Sequence, residues 1–140
     1  MVRNISTITI NATKQRVWDA LTRPELVKLW QYGSDLATTW EVGSKIEFSV
    51  KWEDKVYKQW GTVLEFDPTD KLSYNLFAPG PSLDDKPENY FIMKYVLTDI
   101  GDKTNLEIIQ EDNRANAVQE PPQGDENPIL QAIKTLAEAS

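Results

Sequence analysis

The sequence predicts an α+β domain, a curved antiparallel sheet of about six to seven strands around a C-terminal helix. Three observations predict this class. Apolar residues follow helical spacing after Lys14, the period changes to two residues at Lys45, and helical spacing returns at Pro128. Short connections between the alternating segments are typical of an antiparallel meander. In this element order the last helix must cover the apolar face of the sheet.

The first third of the chain predicts a strand, two short helices and a second, brief strand. Thr13 has the hydroxyl typical of a helix N-cap, and apolar residues follow it at helical spacing. Pro24 occupies the favoured first position of the second helix, which closes at Gly33. The predicted elements are a strand over residues 6–10, helices over 14–22 and 24–33, and a strand over 36–40.

A run of alternating strands follows these helices. Every second residue from Ile46 to Trp52 is apolar, which predicts one buried and one exposed face. The next strand has apolar residues on both faces, and Gly61 in its middle predicts the close approach of another element. A stretch rich in proline and glycine predicts a loop over residues 78–89. The predicted strands cover residues 45–52, 56–66, 72–76, 90–98 and 106–110.

The C-terminal part predicts an exposed linker and a final helix. Residues 111–127 contain several acidic side chains, a single arginine (Arg114) and two consecutive prolines, so we expect a solvated spacer. Pro128 begins the last helix, which runs to about Ala139. Its apolar stripe consists of Ile129, Ile133 and Leu136.

The length of 140 residues predicts one domain spanning residues 1–140. Apolar residues make up 40% of the chain and charged residues 26%, which excludes a disordered or collagen-like chain. Cysteine and histidine are both absent, so disulfides, thiolate nucleophiles, histidine relays and imidazole metal ligands are excluded. Most familiar hydrolases and metalloenzymes are therefore excluded as well.

Charge and targeting signals limit the partners. The net charge of −7 opposes binding to phosphate backbones and anionic membrane surfaces, and no basic patch offsets it. The N-terminus has no signal-peptide pattern, and no run of about 18 apolar residues occurs. We therefore expect a cytoplasmic protein without a nucleic-acid partner and without membrane insertion.

The acidic clusters do not predict a metal site or an acid–base catalyst. Asp84, Asp85 and Glu88 lack the spacing and the glycine of a calcium loop. The carboxylate pairs Asp84-Asp85 and Glu111-Asp112 lie in a predicted loop and linker, where the desolvation that raises a carboxyl pKa is not expected. No glycine-rich phosphate motif occurs. We expect no metal, no cofactor and no catalytic residue.

Several short motifs, in order along the chain, resemble a known superfamily. They are Val17-Trp18-Asp19-Ala20-Leu21-Thr22, Pro24-Glu25-Leu26, Leu29-Trp30, Gly61-Thr62-Val63-Leu64-Glu65-Phe66-Asp67-Pro68 and Leu72-Ser73-Tyr74. Together they resemble the START-like (SRPBCC) helix-grip superfamily, specifically the branch similar to the activator of heat-shock protein 90 ATPase. This resemblance covers nearly the whole chain and implies a Bet v 1-like fold. It departs where that branch has Gly-Trp before a longer final helix, because Asn127-Pro128 stands there.

The resemblance implies a hydrophobic ligand pocket between the concave sheet and the final helix. The candidate ligand-binding residues are Trp30, Phe48, Val50, Tyr74, Leu76, Met93, Tyr95, Ile108, Gln110 and Ile133. Tyr74, Tyr95 and Gln110 could each present a polar atom that orients a ligand. The alternative is that these side chains simply fill the core, with the tyrosine hydroxyls bonded to backbone groups.

We therefore expect a domain without enzymatic activity that holds a small hydrophobic or amphipathic molecule. Two alternatives stay open. The branch is named for a chaperone activator, and an exposed Trp52 or Trp60 would anchor a chaperone partner. A cyclase-type enzyme that works without histidine ranks behind both. The sequence also leaves a homodimer open.

Overall fold

Seven antiparallel strands of the described chain form one sheet, in the order β1-β7-β6-β5-β4-β3-β2. A computed structural model describes residues 2–81 and 83–139. The strands are β1 (Val2–Ile10), β2 (Asp35–Thr38), β3 (Lys45–Trp52), β4 (Lys55–Asp67), β5 (Lys71–Phe77), β6 (Tyr90–Ile100) and β7 (Lys103–Asp112). The helices are α1 (Lys14–Thr22), α2 (Pro24–Trp30) and α3 (Pro128–Glu138). The predicted α+β helix-grip fold is confirmed.

Two of the helices begin at side-chain caps. The Thr13 hydroxyl accepts a hydrogen bond from the backbone N–H of Arg16 at 3.3 Å, which starts α1. The Asn127 side chain accepts from the backbone N–H groups of Ile129 and Leu130, at 2.9 and 3.2 Å, which starts α3. Both caps satisfy N–H groups that have no partner within the helix.

The core lies between α3 and the concave face of the sheet. The last helix packs against β1, α1 and α2, and its side chains Leu130, Ile133 and Ala137 are buried. The sheet contributes alternate residues of its strands to the same core. The buried ones include Ile8, Ile10, Ile46, Phe48, Val63, Leu72, Tyr74, Leu76, Tyr95, Leu97, Leu106 and Ile108.

The ambiguous phase of β4 has a structural cause. The pairing of β4 with β5 shifts register between Val63 and Glu65. Val63, which comes before this shift, is fully buried. Beyond it, Phe66 pairs with Leu72 and lies 5.3 Å from the ring of Trp18, measured between ring centroids. Because a bulge inserts one extra residue, the inward face changes from odd to even positions along β4.

Residues 111–127 are mostly exposed, as the sequence predicts, but they are not a free spacer. Asp112 is buried and accepts hydrogen bonds from the backbone and the guanidinium of Arg114. Farther along, the Thr7 N–H donates to the Gln123 carbonyl at 2.9 Å, and the Gln123 N–H donates to the Ile5 carbonyl at 3.0 Å. β1 is an edge strand whose outer backbone groups need partners, and this segment supplies them. The sequence analysis did not predict this docking, because the need for partners is created by the sheet.

Candidate functional site

A cleft of ≈ 530 Å³ opens where β3 and β4 extend beyond their neighbours in the sheet. β2 pairs only with residues 46–49 of β3, and β5 begins to pair with β4 at Trp60. The two strands therefore form a free ribbon at their hairpin end. We call the opening beside it the β3–β4 cleft. Its walls include Gln31, Phe48, Val50, Tyr57, Lys58 and Trp60.

Gln31, which lines the β3–β4 cleft, contains a buried polar atom without a partner among the described residues. It is the residue at which α2 ends. Its Oε1 atom is buried and has no hydrogen-bond partner in the described part of the chain. Leaving a buried acceptor unpaired costs about 1–3 kcal/mol. An N–H or O–H group of a bound molecule would satisfy this oxygen.

Two tyrosines meet in the interior on the central strands. Tyr74 of β5 is 3% exposed and Tyr95 of β6 is 5% exposed. Their hydroxyl oxygens are 3.1 Å apart, within hydrogen-bond distance, and either can be the donor. Burial is the main cause that raises the pKa of both phenols. The pair therefore stays protonated at neutral pH.

Phe48 separates the tyrosine pair from the β3–β4 cleft. Its side chain is buried yet lines the cleft. Its ring centroid lies 5.7 Å from that of Tyr74. Phe48 therefore contacts both the cleft and the ring of Tyr74.

A second, smaller cleft lies on the other side of the tyrosine pair. This β1–α3 cleft has a volume of ≈ 220 Å³ and includes Met93, Ile108 and Gln110 in its lining. In the sheet register Met93 is opposite Tyr74, and Ile108 is opposite Tyr95. The tyrosine pair thus lies between two clefts, with one layer of side chains on each side.

The structure divides the predicted ligand-binding residues into four groups. The β3–β4 cleft is lined by Phe48 and Val50. The β1–α3 cleft is lined by Met93, Ile108 and Gln110. The buried core between them contains Tyr74, Leu76, Tyr95 and Ile133. Trp30 belongs to neither cleft, because it packs in the core and donates from Nε1 to the Ala20 carbonyl at 2.7 Å.

Sequence reasoning missed Gln31, Tyr57 and Trp60 as cleft residues. For Tyr57 a signal exists: the short connection after Trp52 sets the hairpin register, which places Tyr57 opposite Val50. For Gln31 there is none, because its position depends on how α2 ends against the sheet. The sequence interpretation also offered Trp60 as an exposed anchor, which the structure does not support.

Trp60 is held on the face of the sheet opposite the helices. Its Nε1 donates to Asp85 Oδ2 at 2.9 Å, and its ring lies 5.4 Å from that of Phe77. Tyr90 donates to the other Asp85 oxygen at 2.5 Å. Residues 83–89 are therefore fastened to the sheet through Asp85. Trp52 does fit the expectation of an exposed tryptophan, since 67% of it is accessible.

The carboxyl groups whose pKa is lowered do not have the properties of general acids. A hydrogen bond from Ser73 is the main cause that lowers the pKa of Glu65. Hydrogen bonds from Lys45, Tyr90 and Arg114 do the same for Glu47, Asp85 and Asp112. A carboxyl group that donates a proton near pH 7 needs the opposite shift. The described residues contain no cluster of three or more metal-binding side chains.

None of the helices in the described ranges is both long and apolar enough to span a bilayer.

Comparison with known proteins identifies similar chains. The family model described as Activator of Hsp90 ATPase homolog 1-like protein matches residues 11–138. The solution structure of ChR145 from Cytophaga hutchinsonii is 26% identical, with a TM-score of 0.76, and the match covers 99% of this chain and 95% of that one. A search of curated proteins finds no match.

Two further structures share the fold at lower identity. The solution structure of the Aha1 dimer from Colwellia psychrerythraea is 18% identical with a TM-score of 0.69, covering 99% of this chain and 97% of that one. The crystal structure of protein NE0264 from Nitrosomonas europaea is 13% identical with a TM-score of 0.72, covering 99% and 95%. These identities support the fold alone.

Proposed function

This chain belongs to the Activator of Hsp90 ATPase homolog 1-like family, and from that membership we propose that it is a START-like domain that binds a small hydrophobic or amphipathic molecule. The molecule enters through the β3–β4 cleft and lies on the concave side of the sheet. This function requires no reaction and no cofactor.

The β3–β4 cleft is the observation that carries the proposal. Its volume of ≈ 530 Å³ falls within the range of about 300–1,000 Å³ that is usual for ligand pockets. Phe48 and Val50 supply apolar surface, and Gln31 supplies a buried polar atom without a partner. Apolar walls with few polar groups are typical of sites that bind apolar molecules and orient them.

The charge of the cleft favours a neutral ligand. Lys58 is the one charged residue among its described lining residues. The Lys58 ammonium already lies 3.3 Å from a carboxylate oxygen of Glu47. A charged ligand group would have to displace this pair or stay unpaired, and burying an unpaired charge is costly.

Native mass spectrometry and a neutral apolar dye test the proposal. We expect the purified protein to show a co-purified apolar mass or saturable binding of N-phenyl-1-naphthylamine. Val50→Arg places a charged side chain in the cleft and should abolish dye binding. Leu64→Arg is the matched control, because Leu64 is a partly exposed apolar residue that does not line the cleft.

Measurements on the wild-type protein can contradict the proposal that it binds a ligand. Absence of both a co-purified mass and saturable dye binding would overturn the proposal. Equal dye binding by Val50→Arg and the wild type would place the site elsewhere.

A second candidate function, interaction with a chaperone, is favoured by one observation. The tip of the β3–β4 hairpin exposes Trp52, Val56 and Tyr57. Exposed aromatic residues are frequent anchors of protein interfaces. Titration with heat-shock protein 90 tests this function, with ATPase rate and complex formation as readouts. If it is correct, Trp52→Ala should reduce both, whereas no effect of the wild-type protein on either would contradict it.

A further inference from the structure

The buried hydroxyls of Tyr74 and Tyr95 have two O–H donors between them, and the hydrogen bond that joins them uses only one. Each phenol has one O–H donor. The hydroxyls of Tyr74 and Tyr95 are 3.1 Å apart, and neither makes another hydrogen bond within the described residues. One hydroxyl donates to the other, and the second O–H is left without an acceptor. A buried donor without a partner is destabilising, so this arrangement calls for an explanation.

Among the described residues, the groups around the tyrosine pair do not accept a hydrogen bond from its second O–H. Aromatic rings adjoin Tyr74: Phe48 at 5.7 Å, Trp40 at 6.3 Å and Tyr95 itself at 6.0 Å between centroids. The Trp40 indole nitrogen is a donor, and it already binds the Thr22 carbonyl at 3.0 Å. The pair is therefore equipped to give a hydrogen bond to a group that comes from outside the chain.

The pair is one side chain away from open space. Phe48 lines the β3–β4 cleft and contacts the ring of Tyr74. A rotation of Phe48 about its side-chain bonds would move the ring into the cleft, whose ≈ 530 Å³ leaves room for it. Such a rotation would open the ring of Tyr74 to the cleft.

We propose that the bound molecule carries a neutral hydrogen-bond acceptor at its inner end, a ketone, ester or ether oxygen, which accepts the free O–H of the Tyr74–Tyr95 pair after Phe48 has moved aside. This inference rests on the proposed ligand-binding function and adds the chemical class of the ligand. A carboxylate is disfavoured because no unpaired positive group lines the β3–β4 cleft among the described residues.

Two probes that differ in one group test the inference. The ketone 2-acetylnaphthalene and the hydrocarbon 2-isopropenylnaphthalene have nearly the same shape, but only the ketone is a carbonyl acceptor. We expect the wild-type protein to bind the ketone roughly three- to tenfold more tightly, the ratio that one net hydrogen bond provides. Competition against N-phenyl-1-naphthylamine measures both affinities.

Phenylalanine variants of the two tyrosines test whether their hydroxyls provide the hydrogen bond. Tyr74→Phe and Tyr95→Phe each leave one free hydroxyl, so each single variant should keep a preference for the ketone. The double variant removes both donors and should bind the two probes equally. Tyr90→Phe is the matched control, because it removes a hydroxyl on the opposite face of the sheet, where Tyr90 donates to Asp85. It should behave as the wild type.

An infrared measurement on the wild type keeps the test independent of how well the variants fold. A hydrogen bond from tyrosine should shift the carbonyl stretch of bound 2-acetylnaphthalene to lower frequency than in hydrocarbon solvent. Phe48→Ala should speed association of the ketone, because it removes the barrier. An unchanged association rate would overturn the role of Phe48.

The remaining outcomes separate this inference from the proposed function. If both probes bind with equal affinity and the stretch is unshifted, the tyrosine inference is overturned while ligand binding stands. If neither probe nor the dye binds, the proposed function fails and the inference fails with it.

Discussion

Phe48 and Ile133 are both buried, but they face different surroundings. Ile133 on α3 is fully enclosed by the core, whereas one side of Phe48 borders the β3–β4 cleft. The stability that a side chain provides depends on how many packed atoms surround it. The two residues therefore distinguish a packed core from a wall of a cleft.

Ile133→Ala should lower the free energy of unfolding by about 2–5 kcal/mol, as expected for a fully packed aliphatic residue. Phe48→Ala should lower it by about 2 kcal/mol, below the roughly 3–5 kcal/mol usual for a packed phenylalanine, because part of its side chain borders the cleft. Urea unfolding followed by tryptophan fluorescence measures both. A loss of roughly 3–5 kcal/mol for Phe48→Ala, the usual cost of truncating a packed phenylalanine, would show that Phe48 is ordinary core.

Gly61 provides a second prediction at the scale of one residue. A Cβ atom at this position would lie 1.8 Å from the backbone oxygen of Asn75 on the neighbouring strand. Gly61→Ala should therefore force β4 and β5 apart and destabilise the protein by at least about 3 kcal/mol. Thermal unfolding measures the effect.

Gly80→Ala is the matched control for Gly61→Ala. The added Cβ would meet only the Leu83 side chain, at 3.5 Å, which is ordinary van der Waals contact. We expect a change within about 0.5 kcal/mol. Equal unfolding temperatures for the two variants would contradict the close approach of the strands at Gly61.

At the scale of elements, the arrangement of the loop residues 83–89 depends on Asp85. Its carboxylate accepts from Tyr90 and from the Trp60 indole, and the hydrogen bond from Tyr90 is the main cause that lowers the pKa of Asp85. A lowered carboxyl pKa means that the stabilisation is present above the pKa of the unfolded chain. It is lost as the pH falls through the pKa of the folded state.

Hydrogen exchange of the loop should therefore be slow and constant from neutral pH down to about pH 4, and the protection should be lost in more acidic solution. Asp85→Asn should weaken protection of residues 83–89 at neutral pH, because the amide is a poorer acceptor than the carboxylate. Exchange rates corrected for intrinsic pH dependence provide the measurement. Loss of protection on raising the pH above neutrality would contradict this assignment.

At the scale of the whole molecule, charge determines which large partners the protein avoids. The net charge is −7, and the acidic side chains are spread over strands, loops and the segment before α3. Several lysines are already paired, such as Lys45 and Lys58 with Glu47 and Lys94 with Glu111. Such a surface repels phosphate groups at long range.

We therefore predict no binding to DNA, RNA or anionic vesicles at physiological salt. Gel-shift and vesicle-sedimentation assays measure this, and neutral vesicles serve as the control. Saturable binding that weakens with added salt would show that a local group of lysines overrides the net charge. The cytoplasmic location and a homodimer remain predictions at this scale.

The sequence by itself determined the element order, the helix starts and the strand alternation, because caps and hydrophobic periods are local properties. Thr13, Pro128 and the alternation from Ile46 to Trp52 illustrate this. The family resemblance also came from motifs in the sequence, and most of the candidate residues selected from strand and helix phase lie in the clefts or in the core between them.

Only the tertiary structure decided which inward residues border a cleft and which fill the core. The bulge after Val63, the docking of Gln123 on β1 and the meeting of the Tyr74 and Tyr95 hydroxyls join residues from different strands or segments. Periodicity assigns each residue to a face of its own strand, but not to a partner on another. Those partners follow from strand register and from the free edges that assembly of the sheet creates.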